Sequence, residues 1–334
     1  TAVEKKFGKY VMASMITMFL QSAYSMIDGL FVSNLIGDTA LSAVNVAWPI
    51  IAVVTAIGTG VGCGGVVMMS TKQGEGKNEE SNIVRANVIL ALLASSIVVT
   101  ILFLILLTPL LKLMGAEGEL LRLSQIYGRV MLTGGVLQIL SCGLTPLLRN
   151  DNRAVSAMMI MVGGLFANLG LDFVFMYVFH MGIGGAAGAS LCAQLFTTVC
   201  CLMILYTKKT DPIRLSQFMI RTEYWKKIFK TAVSPFGISL TPSLLILYHN
   251  VACLKFSGDL AVNAYALISS TVGSYRVLLI GVAEGIQPLA SYAYGAHDFH
   301  AIRKIRNKAI ITAMSVSFFL FIFTIATARF YPAI

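Results

Sequence analysis

Two acids and an amide lie where the surrounding residues are almost wholly apolar: Asp28 within Gln21 to Asp38, and Asn168 with Asp172 within FANLGLDFVFM. A carboxylate at bilayer depth costs roughly 2.5–3.5 kcal/mol on insertion scales, so an acid that persists there marks an ion or substrate path. The alternative for Asp28 is an acid at a helix end near the outer surface. Asn168 and Asp172 are four residues apart and share one helical face. They can bind a cation or exchange a proton, or they can be a hydrogen-bonded pair that joins helices. Gln21 and Tyr24, seven and four residues before Asp28, fall on its face and are candidates to line the same cavity, with Tyr24 equally readable as packing.

A second polar face carries Glu284 and Gln287, three apart, beside Pro288, where a helix loses a hydrogen bond and can kink. Glu284 could attract a cationic substrate, or be solvated or paired with Arg276. Pro146 and Gly143 mark a further kink. His249 is readable as an interhelical hydrogen bonder or a proton relay. The six cysteines all fall in apolar segments without paired spacing, so neither a disulfide framework nor a metal site is indicated. Only four histidines occur, and neither GxGD nor HExxH is present, which leaves a membrane-embedded enzyme, the rival of a different class, without a catalytic set.

The elements that must position these groups are membrane helices. Of the 334 residues 57% are hydrophobic and 12% charged, against roughly 45–50% and 25% in soluble domains. Mean hydropathy is +0.80. About 20 apolar residues span a bilayer, and nine stretches qualify, at 9–36, 42–71, 83–113, 120–148, 154–179, 184–207, 226–256, 261–293 and 304–330. The expected organisation is a first lobe at 1–208, a cytoplasmic linker at 209–225 containing Asp211-Pro212, and a partial second lobe at 226–334. Lysine and arginine concentrate in alternate connections, from Lys5, Lys6 and Lys9 to Arg303, Lys304, Arg306 and Lys308. That bias predicts a cytoplasmic N-terminus, and it explains the net charge of +10 without nucleic acid.

An internal repeat runs through the chain at an ungapped offset of 221: Gly37-Asp38 recurs as Gly258-Asp259, Gly60 as Gly281, Gly64 as Gly285, Gly74 as Gly295 and Arg85 as Arg306. Both copies start on the same side, so the repeats are parallel. The second copy stops after three helices, which predicts a C-terminally truncated chain. The same offset sets His249, not an acid, at the position equivalent to Asp28.

Three stretches carry a family resemblance: MIDGLFVSNLIGDTALSAVN, then RNDNRAVSAMMIMVGGLFANLGLDFVFMYVFHMGIGGAAGASLCAQ, then GVAEGIQPLASYAYGAHDFHAIRKIRN. In this order and spacing they resemble the MATE family of multidrug and toxin extrusion antiporters, of the MOP superfamily, closest to its bacterial drug-efflux branch. The resemblance implies an all-α polytopic fold of twelve helices in two lobes around a cavity, about nine of them present. It also implies a multi-pass protein of the bacterial inner membrane that exchanges organic cations for H⁺ or Na⁺ by alternating access. Such a protein works as a monomer among membrane lipids, with no cofactor beyond the coupling ion. Carried over by position, the coupling-ion set would be Asp28, Asn168, Asp172 and Ser190, the last where Thr is commoner. Substrate-cavity candidates are Gln21, Tyr24, Glu284, Gln287 and His249. No glutamate stands between Ser243 and Asn250, and no proline between Tyr10 and Ile36, so a second-lobe cation site and a proline-bent first helix are not expected. The Met158, Met159, Met161 group with Phe166, Phe173, Phe175 and Tyr177 would suit a plastic cation site, but most are expected to face lipid or core. A lipid-linked oligosaccharide flippase of the same superfamily is the nearest rival; it calls for a basic cavity. A non-transporting scaffold is the remaining alternative.

Overall fold

Apolar stretches longer than 20 residues leave a chain one way to satisfy its backbone, which is the α-helix. The computed structural model describes the backbone of residues 2–206, 217–257 and 259–327, and over these it is helical throughout, with no strand. The helices are α1 (Ala2–Ile36), α2 (Asp38–Gly74), α3 (Asn78–Leu113), α4 (Gly118–Thr133), α5 (Gly135–Asn150), α6 (Ala154–Asp172), α7 (Gly182–Leu205), α8 (Thr222–Ser257), α9 (Asp259–Gly295) and α10 (Phe299–Thr327). A π-helical turn, Phe173–Val178, continues α6. Among the described residues five helices are long and apolar enough to cross a membrane, or six if the bent pair α4 and α5 forms one span. The helices outrun the expected spans because hydropathy marks only the apolar part, whereas the hydrogen-bond ladder continues through polar turns. Residues 207–216, with the first part of the expected linker and Asp211-Pro212, lie outside the described residues. On their far side the Arg221 amide donates to Asn87 Oδ1 at 3.0 Å, tying the start of α8 to α3.

The expected fourth span bends by 56° between α4 and α5. Sequence reasoning put the kink at Gly143 and Pro146; both instead lie inside the unbroken α5. The bend falls at Gly134-Gly135, where side chains at either glycine would collide with Leu191 of α7 and Thr100 of α3. Gln138, fully buried, bridges the break by donating to the Met131 carbonyl at 2.5 Å. Pro288 likewise stays within α9.

The offset of 221 is exact in the helix ends. It carries the bounds of α2, Asp38–Gly74, onto those of α9, Asp259–Gly295, the last residue of α1 onto Ser257 of α8, and the first of α3 onto Phe299 of α10. The contact between lobes obeys the same operator. A Cβ on Gly64 of α2 would sit 2.8 Å from both the Ile228 carbonyl oxygen and the Ala232 nitrogen of α8, and one on Gly285 of α9 would sit 2.7 Å from Val11 Cα of α1. Val11 and Ala232 are themselves 221 apart. Gly74 and Gly295, also repeat mates, meet each other's helices at the end where the basic connections cluster. Small residues let helix backbones approach where no hydrophobic force drives them together. This seam, at the basic end, is therefore two-fold in character.

Most of the buried core belongs to the first lobe, with Leu92, Leu107, Leu132, Ile139, Leu144 and Leu147 at its centre. A second cluster, Phe7, Val11, Val282, Ala293 and Ile305, lies across the seam. Met159, Phe166, Phe173 and Tyr177 point outward, as does the apolar face of α10. At the basic end, Arg85 is 2% exposed and pairs at 2.8 Å with Asp151, 6% exposed. Arg85 also donates to Asn82, and Asn150 bonds Ser70 and Gln73, fixing the turn that follows α5.

Candidate functional site

Asp172 is the last regular residue of α6 and is fully buried. Asn168, one turn earlier on the same face, donates from Nδ2 to Asp172 Oδ2 at 2.9 Å. Asp28 comes from α1, and its side chain meets that of Asp172 within hydrogen-bonding reach. The two acids are 144 residues apart in sequence; the fold makes them one site, with Asp28 Oδ1 and Asp172 Oδ1 both buried and without a hydrogen-bond donor. Tyr127 of α4, 4% exposed, is the residue sequence reasoning missed: both acids act electrostatically on its hydroxyl. The nearest hint was its spacing from Ser124 and Met131, which fall with it on the buried face of α4.

Ser190 is half-buried on α7, the helix that packs against the π-helical turn, where Gly185 lies against Phe175. The arrangement can do two things. Two close carboxylates in a low-dielectric site repel, and the repulsion is removed by a proton shared between them or by a cation held by both. Among the described residues no group of three or more His, Cys, Asp or Glu could hold a metal ion.

The cavity candidates are dispersed. Gln21 is exposed on α1, and the side chain of Tyr24 lies outside the described residues. His249 engages the Leu245 carbonyl of its own helix at 2.8 Å and stands edge-on to Tyr248. Gln287 donates to the Cys63 carbonyl of α2 at 3.1 Å. Glu284 has as its partner Arg149 of α5, at 2.7 Å, and not Arg276.

Long apolar helices in two parallel-repeat lobes, with a buried pair of acids in the first, define a multi-pass membrane transporter. The MatE family model matches residues 13–174 and 238–333. The multidrug export protein MepA of Staphylococcus saprophyticus is 23% identical over 318 residues, covering 95% of this chain and 70% of that protein. MepA of Staphylococcus aureus strain N315 is 24% identical over 321 residues, covering 94% and 68%. A solved structure described as the outward-facing conformation of a multidrug resistance MATE family transporter superposes with a TM-score of 0.92 at 25% identity, covering 98% of this chain and 73% of that one. The chain belongs to the MATE family of multidrug efflux transporters.

Proposed function

We propose that the protein extrudes organic cations in exchange for H⁺ or Na⁺ by alternating access, from a bacterial plasma membrane with the basic end cytoplasmic. The observation that carries this reading is the meeting of Asp28 and Asp172, each with a buried oxygen lacking a donor. Asn168 orients Asp172, Tyr127 offers a neutral hydroxyl, and Ser190 is a candidate fifth oxygen. Coupling runs through α1. Asp28 sits on it fourteen residues beyond Ser14, or about 21 Å along the axis, and the Ser14 turn packs on Gly281 of α9. An ion that draws α1 toward α6 therefore loads the seam between the lobes. Each inward elementary charge supplies about 2.3 kcal/mol per 100 mV.

Efflux from proteoliposomes tests this. Asp28→Asn keeps the shape and removes the charge; the expected result is loss of ion-dependent efflux, and full ion dependence in the variant would sink the assignment. Wild-type efflux in Na⁺-free buffer across a pH range separates the two ions.

A further inference from the structure

A second set of buried charge lies at the seam, apart from the acid pair. Arg149 and Glu284 come from opposite lobes, meet at 2.7 Å, and are 10% and 18% exposed. Arg149 Nη1, which faces Glu284 Oε2, also donates to Ser14 Oγ at 3.2 Å. Three residues on, Gln287 bonds the Cys63 carbonyl. The group thus gathers α1, α2, α5 and α9 at one point of the closed seam, beside the close contacts of Gly281 and Gly285 with α1.

Around the pair the seam is packed backbone and apolar side chain, which can part without stranding charge. The ion pair cannot, since breaking a buried pair leaves each charge without its counter-ion. Arg149 stands at the last turn of α5, where opening of the basic end admits water to it. Glu284 stands deeper on α9 and needs a replacement. What it needs is positive charge beside the carboxylate, which an organic cation carries whether or not it bears N–H groups.

We propose that Arg149 and Glu284 form a charge latch that holds the lobes closed at the basic end, and that a cationic cargo opens it by taking Arg149's place beside Glu284. The second half rests on the reading of the cargo as an organic cation. The latch makes opening toward the cargo's side conditional on the cargo's charge.

The test is a distance measurement in lipid vesicles. Ketone-bearing residues at Glu79 and His300, both exposed at the basic end on opposite lobes, accept spin labels and leave the native cysteines untouched. The wild type is expected to show one short distance, with a longer one growing saturably on adding tetraphenylphosphonium. Glu284→Gln, of the same shape, is expected to raise the long-to-short ratio at least tenfold without the cation and to respond to it no further. The swap Arg149→Glu with Glu284→Arg is expected to restore the short distance, which also shows that the site tolerates substitution. A wild-type distribution in Glu284→Gln, or an equal response of wild type and Glu284→Gln to the cation, would overturn the latch. Flux of tetraphenylphosphonium in the same vesicles keeps the two readings apart: flux with an unresponsive latch removes the latch alone, and a responsive latch without flux removes the efflux reading alone.

Discussion

Alanine at Gly64 and alanine at Gly285 are the same perturbation applied to two halves of a pseudo-symmetric seam. The added Cβ would lie 2.8 Å from backbone atoms of Ile228 and Ala232 in one case and 2.7 Å from Val11 Cα in the other. Comfortable carbon contacts begin near 3.5 Å, so the facing helix must retreat by about 0.7 Å. Backbone atoms cannot rotate away as a side-chain tip could, and overpacking of this kind costs about 1–3 kcal/mol. Against it stands the helix preference of alanine over glycine, up to about 1 kcal/mol. Gly237 of α8 isolates that second contribution, because nothing lies within 4 Å of its Cβ position. Chemical unfolding of detergent-solubilised protein should therefore rank Gly237→Ala at or above wild type. The two seam variants should fall below Gly237→Ala by about 1–3 kcal/mol and match one another. If Gly64→Ala and Gly285→Ala differ by more than the packing cost itself, or either equals Gly237→Ala, the lobes are not held by repeat-related backbone contact.

Two further outcomes follow from buried partners. Arg85→Met should destabilise by about 3–5 kcal/mol, because it strands Asp151 in a site that is 6% exposed. Adding Asp151→Leu should recover most of that loss, and a double variant as unstable as the single would show that the pair's charge is not what matters. Asn168→Leu removes the donor that reaches Asp172 Oδ2 at 2.9 Å. A hydrogen bond to a charged group contributes about 1.5–3 kcal/mol, so the ion concentration for half-maximal efflux should shift at least tenfold, downward for H⁺ because the lost donor had favoured the ionised carboxylate, and an unchanged value would remove Asn168 from the site.

Much of this was legible in the residues themselves, for identifiable reasons. The all-helical class followed from hydropathy, since apolar runs of this length can satisfy their backbone only as helix, although one expected span proved to be two helices, α4 and α5. The parallel repeat followed from glycines, which recur because a close backbone contact admits no other residue, and the helix ends proved to obey the same offset. Asp28 and Asp172 announced themselves as charge among apolar neighbours. Tyr127 did not, because an aromatic residue in a membrane helix carries no cost that would draw notice. The partner of Glu284 was also hidden. Arg276 is eight residues away in sequence and Arg149 is 135 away, so only tertiary packing could choose between them. The bend moved from Pro146 to Gly134-Gly135 because facing side chains, Leu191 and Thr100, decide where two helices must make room.

The π-helical turn that begins at Phe173 bears on how loads reach Asp172. Wider turns of this kind are rare and are frequently found at functional sites. Here the Phe179 amide reaches back five residues to the Val174 carbonyl at 3.0 Å, and the Met181 amide six residues to Phe175 at 2.9 Å, so the ladder is wider than in the α-helix directly after the acid. On the other side of Asp172 the turn holding Asn168 is regular α-helix. The acid is clamped at one end and compliantly mounted at the other. Strain arriving from the loop at His180 is taken up in Phe173–Val178 before it reaches the carboxyl, while displacement arriving through α6 moves Asn168 and Asp172 as one rigid unit.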